Sequence, residues 1–218
     1  MQFSDWKPLY EEILADFKFN AGADEAAARR LDAMLGDPSS AVGILARMGG
    51  QSVTVLGPAD RRAIARTETG LLVVADSAVS LLPADSDPPL AIVTDLDGDL
   101  DAIARFSERG TVVVVHAHGD NMSLLESVSR FSGPVLGTCQ GEPVGSLRNF
   151  GGFTDGDRAA FLAEEFGASS VDLVGFDFKQ PQPKPGADPA VKKRKLAWAK
   201  RLLKLVEIPV TLEGKPLV

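Results

Sequence analysis

AIVTDLDGDLDAIARFSERGTVVVVHAHGDN, residues 91–121, reads as one complete unit of an α/β fold. An apolar run, AIVT, meets an acidic loop, DLDGD. A helical stretch, LDAIARFSER (100–109), follows, and then a longer apolar run, TVVVVHA (111–117), that ends in polar residues. Both runs are continuous rather than alternating, as expected of strands buried on both faces. The same texture recurs outward in SVTVL (52–56), LLVVA (71–75), PVLGT (134–138), VDLVGF (171–176) and IPVTL (208–212). Helical stretches lie between several of them: NMSLLESVSRF (121–131), DGDRAAFLAEEFG (155–167) and AVKKRKLAWAKRLLKL (190–205). The alternation predicts an α/β fold with a mainly parallel, Rossmann-like sheet and helices on both faces.

A small helical segment is expected before the sheet. Trp6, Leu9, Tyr10, Ile13, Leu14 and Phe17 recur at spacings of three and four, the stripe of an amphipathic helix. Asp24 is placed to cap a second helix, AAARRLDAML, which stops near Gly36 and Pro38. A third, SAVGILARM, ends in Gly49-Gly50. The reading divides the chain into residues 1–50 and a catalytic α/β domain over 51–218. Between them lies no linker that would separate two cores.

Composition removes several function classes. At 218 residues and 44% hydrophobic, the chain can bury a core without a metal or disulfide staple. A net charge of -7 repels phosphate backbones, so nucleic acid is not an expected partner. No apolar run approaches the roughly 20 residues that span a bilayer. The N-terminus carries acids where a signal peptide is basic, so a soluble, cytoplasmic protein is expected. The single cysteine, Cys139, reads as a small packed residue. One local asymmetry stands out. Lys179, Lys184, Lys192, Lys193, Arg194, Lys195, Lys200, Arg201 and Lys204 are nine of the 23 basic residues, and only Asp188 opposes them in that span. The proline-rich KQPQPKPGADP (179–189) that leads into them reads as an exposed, mobile loop.

Ligands of open parallel sheets bind beyond the carboxyl ends of the strands, and polar residues gather there. LLVVA ends in Asp76-Ser77, AIVT in Asp95-Leu96-Asp97-Gly98-Asp99, TVVVV in His116-Ala117-His118-Gly119-Asp120-Asn121 and PVLGT in Cys139-Gln140. Asp95 and Asp97 stand two apart in extended chain, so both can face one cation, and hard oxygen ligands select Mg²⁺ or Mn²⁺. Asp99 fits a helix N-cap better than a ligand. His116-Ala117-His118-Gly119-Asp120 has the HxHxD spacing of zinc hydrolases, but two histidines in the chain cannot complete such a centre. VTDLDGD is similar to the first motif of haloacid-dehalogenase phosphatases, which carry it on their first strand. No GxxxxGK[ST] or GxGxxG loop is present. In NFGGFTDGDRAAFLAEEFGA (149–168), Gly151-Gly152 permits close approach of backbone to a ligand, and Thr154 to Arg158 open a helix whose amides favour anions.

Read together, ADSA (75–78), VTDLDGD (93–99), VVVHAHGDN (113–121), GTCQ (137–140), NFGGFTDGDRA (149–159) and KRKLAWAK (193–200) resemble the archaeal 6-hydroxymethyl-7,8-dihydropterin pyrophosphokinases, distant relatives of thiamin pyrophosphokinase. The resemblance implies transfer of the β,γ-diphosphate of ATP to a reduced pterin with Mg²⁺, releasing AMP. It matches Asp95, Asp97 and Asp120 to the acids that organise metal and triphosphate. It matches Asp76, Asn121, Gly152, Thr154, Asp155 and Asp157 to positions lining the nucleotide and acceptor sites. Ser77, assigned with Asp76 to the nucleotide, departs from the glycine of the thiamin relatives. Gln140 and the basic trio Lys192, Lys193 and Arg194 are assigned to the nucleotide, Asn149 to the acceptor, and His118 or a nearby acid to the hydroxymethyl proton. ATP and a reduced pterin are the expected partners, and a homodimer is allowed. Two other readings stand beside this one, a Mg²⁺-dependent phosphohydrolase using DLDGD and a nucleotide-binding module without turnover.

Overall fold

Alternate residues of the central strands leave the sheet on opposite sides, and each side meets its own core. Val53, Val55, Val73, Val93, Val112, Val114 and Leu173 pack on one face with Trp6, Ile13, Leu45, Phe161 and Leu202. Leu56, Val74, Ile92, Val113 and Val115 pack on the other with Leu31, Ile103, Phe106 and Leu125. Strands buried on both faces are what the continuous apolar runs require. The computed structural model describes residues 1–67, 70–181 and 188–217.

Among these, eight strands form one sheet: β1 (Ser52–Leu56), β2 (Leu71–Ala75), β3 (Ala91–Thr94), β4 (Val112–Ala117), β5 (Val135–Cys139), β6 (Ser170–Val174), β7 (Val210–Leu212) and β8 (Lys215–Pro216). Their order is β5-β4-β3-β2-β1-β6-β7-β8, parallel except for the terminal β7–β8 pair. The order runs one way from β1 to β5 and the other way from β6, so it reverses between β1 and β6. In open α/β sheets that reversal opens a crevice beyond the strand ends.

α1 (Phe3–Phe17), α2 (Ala21–Asp32) and α3 (Ser39–Leu45) precede the sheet, and α4 (Leu100–Glu108), α5 (Asp155–Glu165) and α6 (Pro189–Leu203) are threaded through it. α1, α3, α5 and α6 cover the first face, and α2 and α4 the second. Asp99 caps α4 by accepting from Ala102 N at 3.0 Å.

Two local expectations fail. Asp24 does not cap α2. Asn20 does, accepting from Gly22 N at 2.9 Å, and Asp24 lies one turn inside the helix, buried. Residues 121–131 form no α-helix but two 3₁₀ turns, Gly119–Asn121 and Leu125–Arg130. Ser129 Oγ donates back to Glu126 O at 2.8 Å, the local bond by which serine favours tight turns over α-helix. Most of the proline-rich loop, residues 182–187, lies outside the described residues. No described helix is long and apolar enough to cross a membrane.

Candidate active site

The acidic centre is built by the ends of β2 and β3. Thr94, the last residue of β3, is fully buried; its hydroxyl donates to Asp76 Oδ1 at 2.6 Å and accepts from Leu96 N at 2.8 Å. That bond ties the two strand ends together. Asp76 and Leu96 both adopt positive φ, 34° and 70°. Backbone held in the left-handed region by non-glycine residues costs about 1–3 kcal/mol each and gathers at functional sites. Asp95 and Asp97 therefore flank a left-handed residue rather than extended chain. They converge because Leu96 turns inward and is buried in the core. Gly98 completes the arrangement: a Cβ there would stand 2.6 Å from Asp76 Oδ2.

Carboxylate oxygens of Asp76, Asp95 and Asp97 lie within 4.8 Å of one another. Asp95 Oδ1 is buried and has no hydrogen-bond partner among the described residues. Burial works against ionisation of Asp95. The His118 imidazole, the Arg158 guanidinium and a hydrogen bond with Asp97 outweigh it and hold this carboxyl below the usual carboxylate range. Asp155, at the start of α5, is pushed the other way. Burial and the charges of Asp95, Asp76 and Asp97 raise it well above that range, against the pull of Arg158. Crowded hard oxygens with an unpaired lone-pair face fit a divalent cation such as Mg²⁺. Asp120 stands outside this triplet, exposed on the 3₁₀ turn after β4, and Asp76 occupies the third corner.

Arg158 is the basic counterpart, and sequence reasoning named it only as a helix opener. It is 8% exposed. Its Nη2 donates to Gln140 Oε1 (2.9 Å) and Phe153 O (2.8 Å), and Nη1 faces Asp155 Oδ1 at 3.2 Å. Gln140 is locked in turn, with Nε2 donating to Gly152 O (3.1 Å) and Oε1 accepting from Arg158 and from His116 Nε2 (2.9 Å). Gln140 thus orients Arg158.

Several predicted binding residues turn out to build the scaffold. Asn149 Nδ2 donates to Gln140 O and Gly141 O while its Oδ1 accepts from Gly151 N. Asn121 Nδ2 donates to Asp95 O and His116 O, both at 2.7 Å. Asp157, 1% exposed, accepts from Phe153 N, Thr154 N and the Thr154 hydroxyl, forming a capping box on α5. Gly152, at φ 92°, packs against α5, where a Cβ would meet Arg158 Cα at 2.7 Å. Its close backbone contact is with α5. Thr154, Asp155 and Ser77 line a cavity, and so does Asp157 beside its capping role.

The two histidines separate. His116 is buried between Thr138 Oγ1 (3.0 Å) and Gln140. His118 Nδ1 accepts from Asp120 N (3.3 Å), which leaves Nε2 as a donor 3.5 Å from Asp95 Oδ2. Both ring nitrogens are engaged, so His118 holds Asp95 rather than standing free as a base. Cys139 is buried, and burial pushes its thiol up to about 12, away from nucleophilic use.

Burial, then the positive charge of the Arg158 guanidinium, depresses His116 well below 6.5. The unfolded chain therefore takes up a proton near pH 6.5 that the folded protein refuses. Stability is full above that pH and falls as pH drops, by about 1.4 kcal/mol per unit. Urea unfolding at pH 7 and pH 5.5 should show this loss, and His116→Gln should reduce it by about one kcal/mol or more.

Of the basic trio, α6 directs only one toward the acids. Arg194 turns to α1, with Nη2 2.7 Å from Asp16 Oδ1 and its guanidinium 4.5 Å over the Phe17 ring. Lys193 is exposed and lines no cavity described here. Lys192 lines the cavity, as does Lys195, whose Nζ lies 5.7 Å from the Phe19 ring and 5.5 Å from that of Phe153. The spacing 192, 195, 196, 199 is one face of a helix, and that periodicity was the available signal. Lys195→Ala should raise a substrate KM at least tenfold, and Arg194→Ala should leave it within about twofold, in initial-rate assays; exposed pairs such as Arg194–Asp16 contribute little to stability.

Two cavities meet here. The larger, about 310 Å³, lies at the β1/β6 reversal and is lined by Pro58, Ala59, Asp76, Asp97, Asp155, Phe176, Phe178 and Lys192. Phe176 and Phe178 stack at 6.0 Å with planes 9° apart. The smaller, about 270 Å³, lies against α1 and α2. Asp95, Phe153, Arg158 and Lys195 line both. The shared wall thus carries an acid and two bases.

Residues 66–182 match the family model described as 6-hydroxymethylpterin diphosphokinase MptE-like. A protein of Pyrococcus furiosus named 6-hydroxymethyl-7,8-dihydropterin pyrophosphokinase is 41% identical over 94% of this chain and 90% of its own. Proteins of the same name from Methanothermobacter thermautotrophicus and Methanocaldococcus jannaschii are 38% and 31% identical over 95% and 98% of the chain, and over 96% and 99% of their own lengths.

Proposed function

The chain belongs to the MptE-like 6-hydroxymethyl-7,8-dihydropterin pyrophosphokinase family and is an enzyme of that class, and from that premise we propose that it transfers the β,γ-diphosphate of ATP to the hydroxymethyl group of a reduced pterin, releasing AMP. The observation that carries this reading is the acid triplet Asp76, Asp95 and Asp97 opening into a cavity at the sheet's reversal, with Arg158, Lys192 and Lys195 on the facing wall. ATP is assigned to that cavity. The stacked Phe176 and Phe178 offer an apolar surface for a base, and α6 brings Lys192 and Lys195 to the cavity wall, where they would pair with a polyphosphate.

Asp76, Asp95 and Asp97 would hold Mg²⁺. When bound there, it would neutralise triphosphate charge and ease departure of AMP. The protein's own part is positioning. Thr94 and Gly98 fix Asp76, His118 fixes Asp95, and Gln140 fixes Arg158 at the wall between the cavities. The pterin hydroxymethyl oxygen bonds the β-phosphorus, the bond from that phosphorus to the α-phosphate's bridging oxygen breaks, and the electron pair leaves on AMP. The hydroxyl proton passes late in such a loose transition state to the exposed Asp120 carboxylate, which lines the smaller cavity and releases it to solvent.

Incubation with ATP, Mg²⁺ and 6-hydroxymethyl-7,8-dihydropterin tests the reading. AMP and pterin diphosphate should appear together, and thiamin should be a poor acceptor. Inorganic phosphate without acceptor would favour a phosphohydrolase, and binding without turnover a nucleotide-binding module.

A further inference from the structure

Building on that reading, we infer that the smaller cavity is the acceptor compartment, that the N-terminal helices form its wall, and that Asp24 reads the paired N–H donors of the pterin ring. The cavity is bounded by Tyr10 and Ile13 of α1, by Phe19 in the link, and by Ala23 and Asp24 of α2. Its volume of about 270 Å³ lies just below the roughly 300–1,000 Å³ usual for ligand pockets, a size that suits a flat bicycle. Phe19 and Phe153, with centroids 6.4 Å apart, supply an aromatic wall.

Asp24 is 7% exposed within a helix whose cap is Asn20, so neither solvation nor capping explains an acid at that position. Tyr10 Oη donates to its Oδ2 and Gly119 N to its Oδ1, each at 2.7 Å. These two bonds connect α1, α2 and the turn after β4, and they fix the plane of the carboxylate. A carboxylate has about four acceptor positions, so Asp24 keeps capacity for two adjacent donors. The ring N–H and exocyclic amine of a 2-amino-4-oxopyrimidine are such a pair, and matching them bidentately gives two charge-assisted hydrogen bonds with fixed orientation. The far end of the same cavity is the wall of Asp95, Arg158 and Lys195, where the hydroxymethyl group must meet the diphosphate.

Amide hydrogen exchange on the wild-type protein locates the acceptor without a variant. 6-Hydroxymethyl-7,8-dihydropterin alone should slow exchange in residues 10–24 and 118–120, and a non-hydrolysable Mg–ATP analogue should slow it in 57–59, 76–77 and 175–178. Asp24→Asn should raise KM for the pterin at least about thirtyfold while KM for ATP stays within threefold. Tyr10→Phe, which removes one orienting bond, should raise the pterin KM by a smaller factor. Pterin protection confined to the larger cavity, ATP protection over residues 10–24, or an unchanged pterin KM in folded Asp24→Asn would overturn the assignment. If Asp24→Asn does not fold, the exchange pattern decides alone. Wild-type protein that makes no pterin diphosphate removes the proposed function and this inference with it. Normal turnover without the α1–α2 protection removes only the inference.

Discussion

Asp97→Asn will lower the rate of diphosphoryl transfer at least a hundredfold, about the loss of one strong transition-state contact, without lowering the melting temperature of the metal-free protein. Asp97 is exposed, and substitutions at ordinary exposed positions change stability by less than about 0.5 kcal/mol. Its special circumstance is the company of Asp76 and Asp95 within 4.8 Å. Removing one charge relieves their repulsion, so the metal-free variant should melt at the wild-type temperature or above it. The same change removes a hard ligand, so Mg–ATP should stabilise the variant less than the wild type, since ligand stabilisation follows affinity. Thermal melts with and without Mg–ATP, beside a rate assay, separate these effects. Near-normal turnover by folded Asp97→Asn would defeat the metal-site argument.

Arg158→Met will be costly in both stability and activity. The substitution keeps the aliphatic stem of the side chain but removes the donors to Gln140, Phe153 O and Asp155. Removing one member of a buried charged network costs about 3–5 kcal/mol, because the partners stay buried and unpaired. For a chain of this size that is a fall of roughly 6–20 °C in melting temperature. Asp95 and Asp155 would also lose a positive neighbour, and the wall between the cavities its fixed charge. Activity should fall at least a hundredfold even at a temperature where the variant is folded. Circular dichroism melts and a rate assay below the transition check both parts. A melting temperature within 2 °C of wild type would mean that the network around Arg158 is not what holds the β5–α5 loop.

The fold was legible because each strand is a short, continuous apolar run with a polar residue at its carboxyl end. SVTVL, LLVVA and AIVT coincide with β1, β2 and β3 residue for residue. The acid loop was legible for the same reason: three consecutive strands deliver Asp76, Asp95 and Asp120 to one end of the sheet. What sequence alone could not supply was which of these converge. Asp76 joins Asp95 and Asp97 because Thr94 binds it across adjacent strands, a contact between residues 18 positions apart. Asn121, Asn149, Asp157 and Gly152 have the residue types of ligand contacts, yet their polar atoms or space are taken up by turns and caps. Composition cannot distinguish an asparagine that holds a loop from one that holds a substrate. Arg158 and Lys195 escaped in the opposite sense. A helix-opening arginine and one lysine in a basic run look ordinary until the helix phase turns them inward. Asp24 was read as a cap because it precedes an alanine-rich helix, and the earlier start of α2 at Ala21 made it an interior carboxylate.

The central claim is that two substrates meet across the wall of Asp95, Arg158 and Lys195, so that diphosphate passes directly from one to the other. The most direct test is rapid quenching of stoichiometric enzyme with labelled Mg–ATP, first without pterin and then with it. The account predicts no AMP and no labelled protein in the first case, and equal amounts of AMP and pterin diphosphate in the second. AMP formed with a diphosphorylated protein before any pterin is added would contradict it.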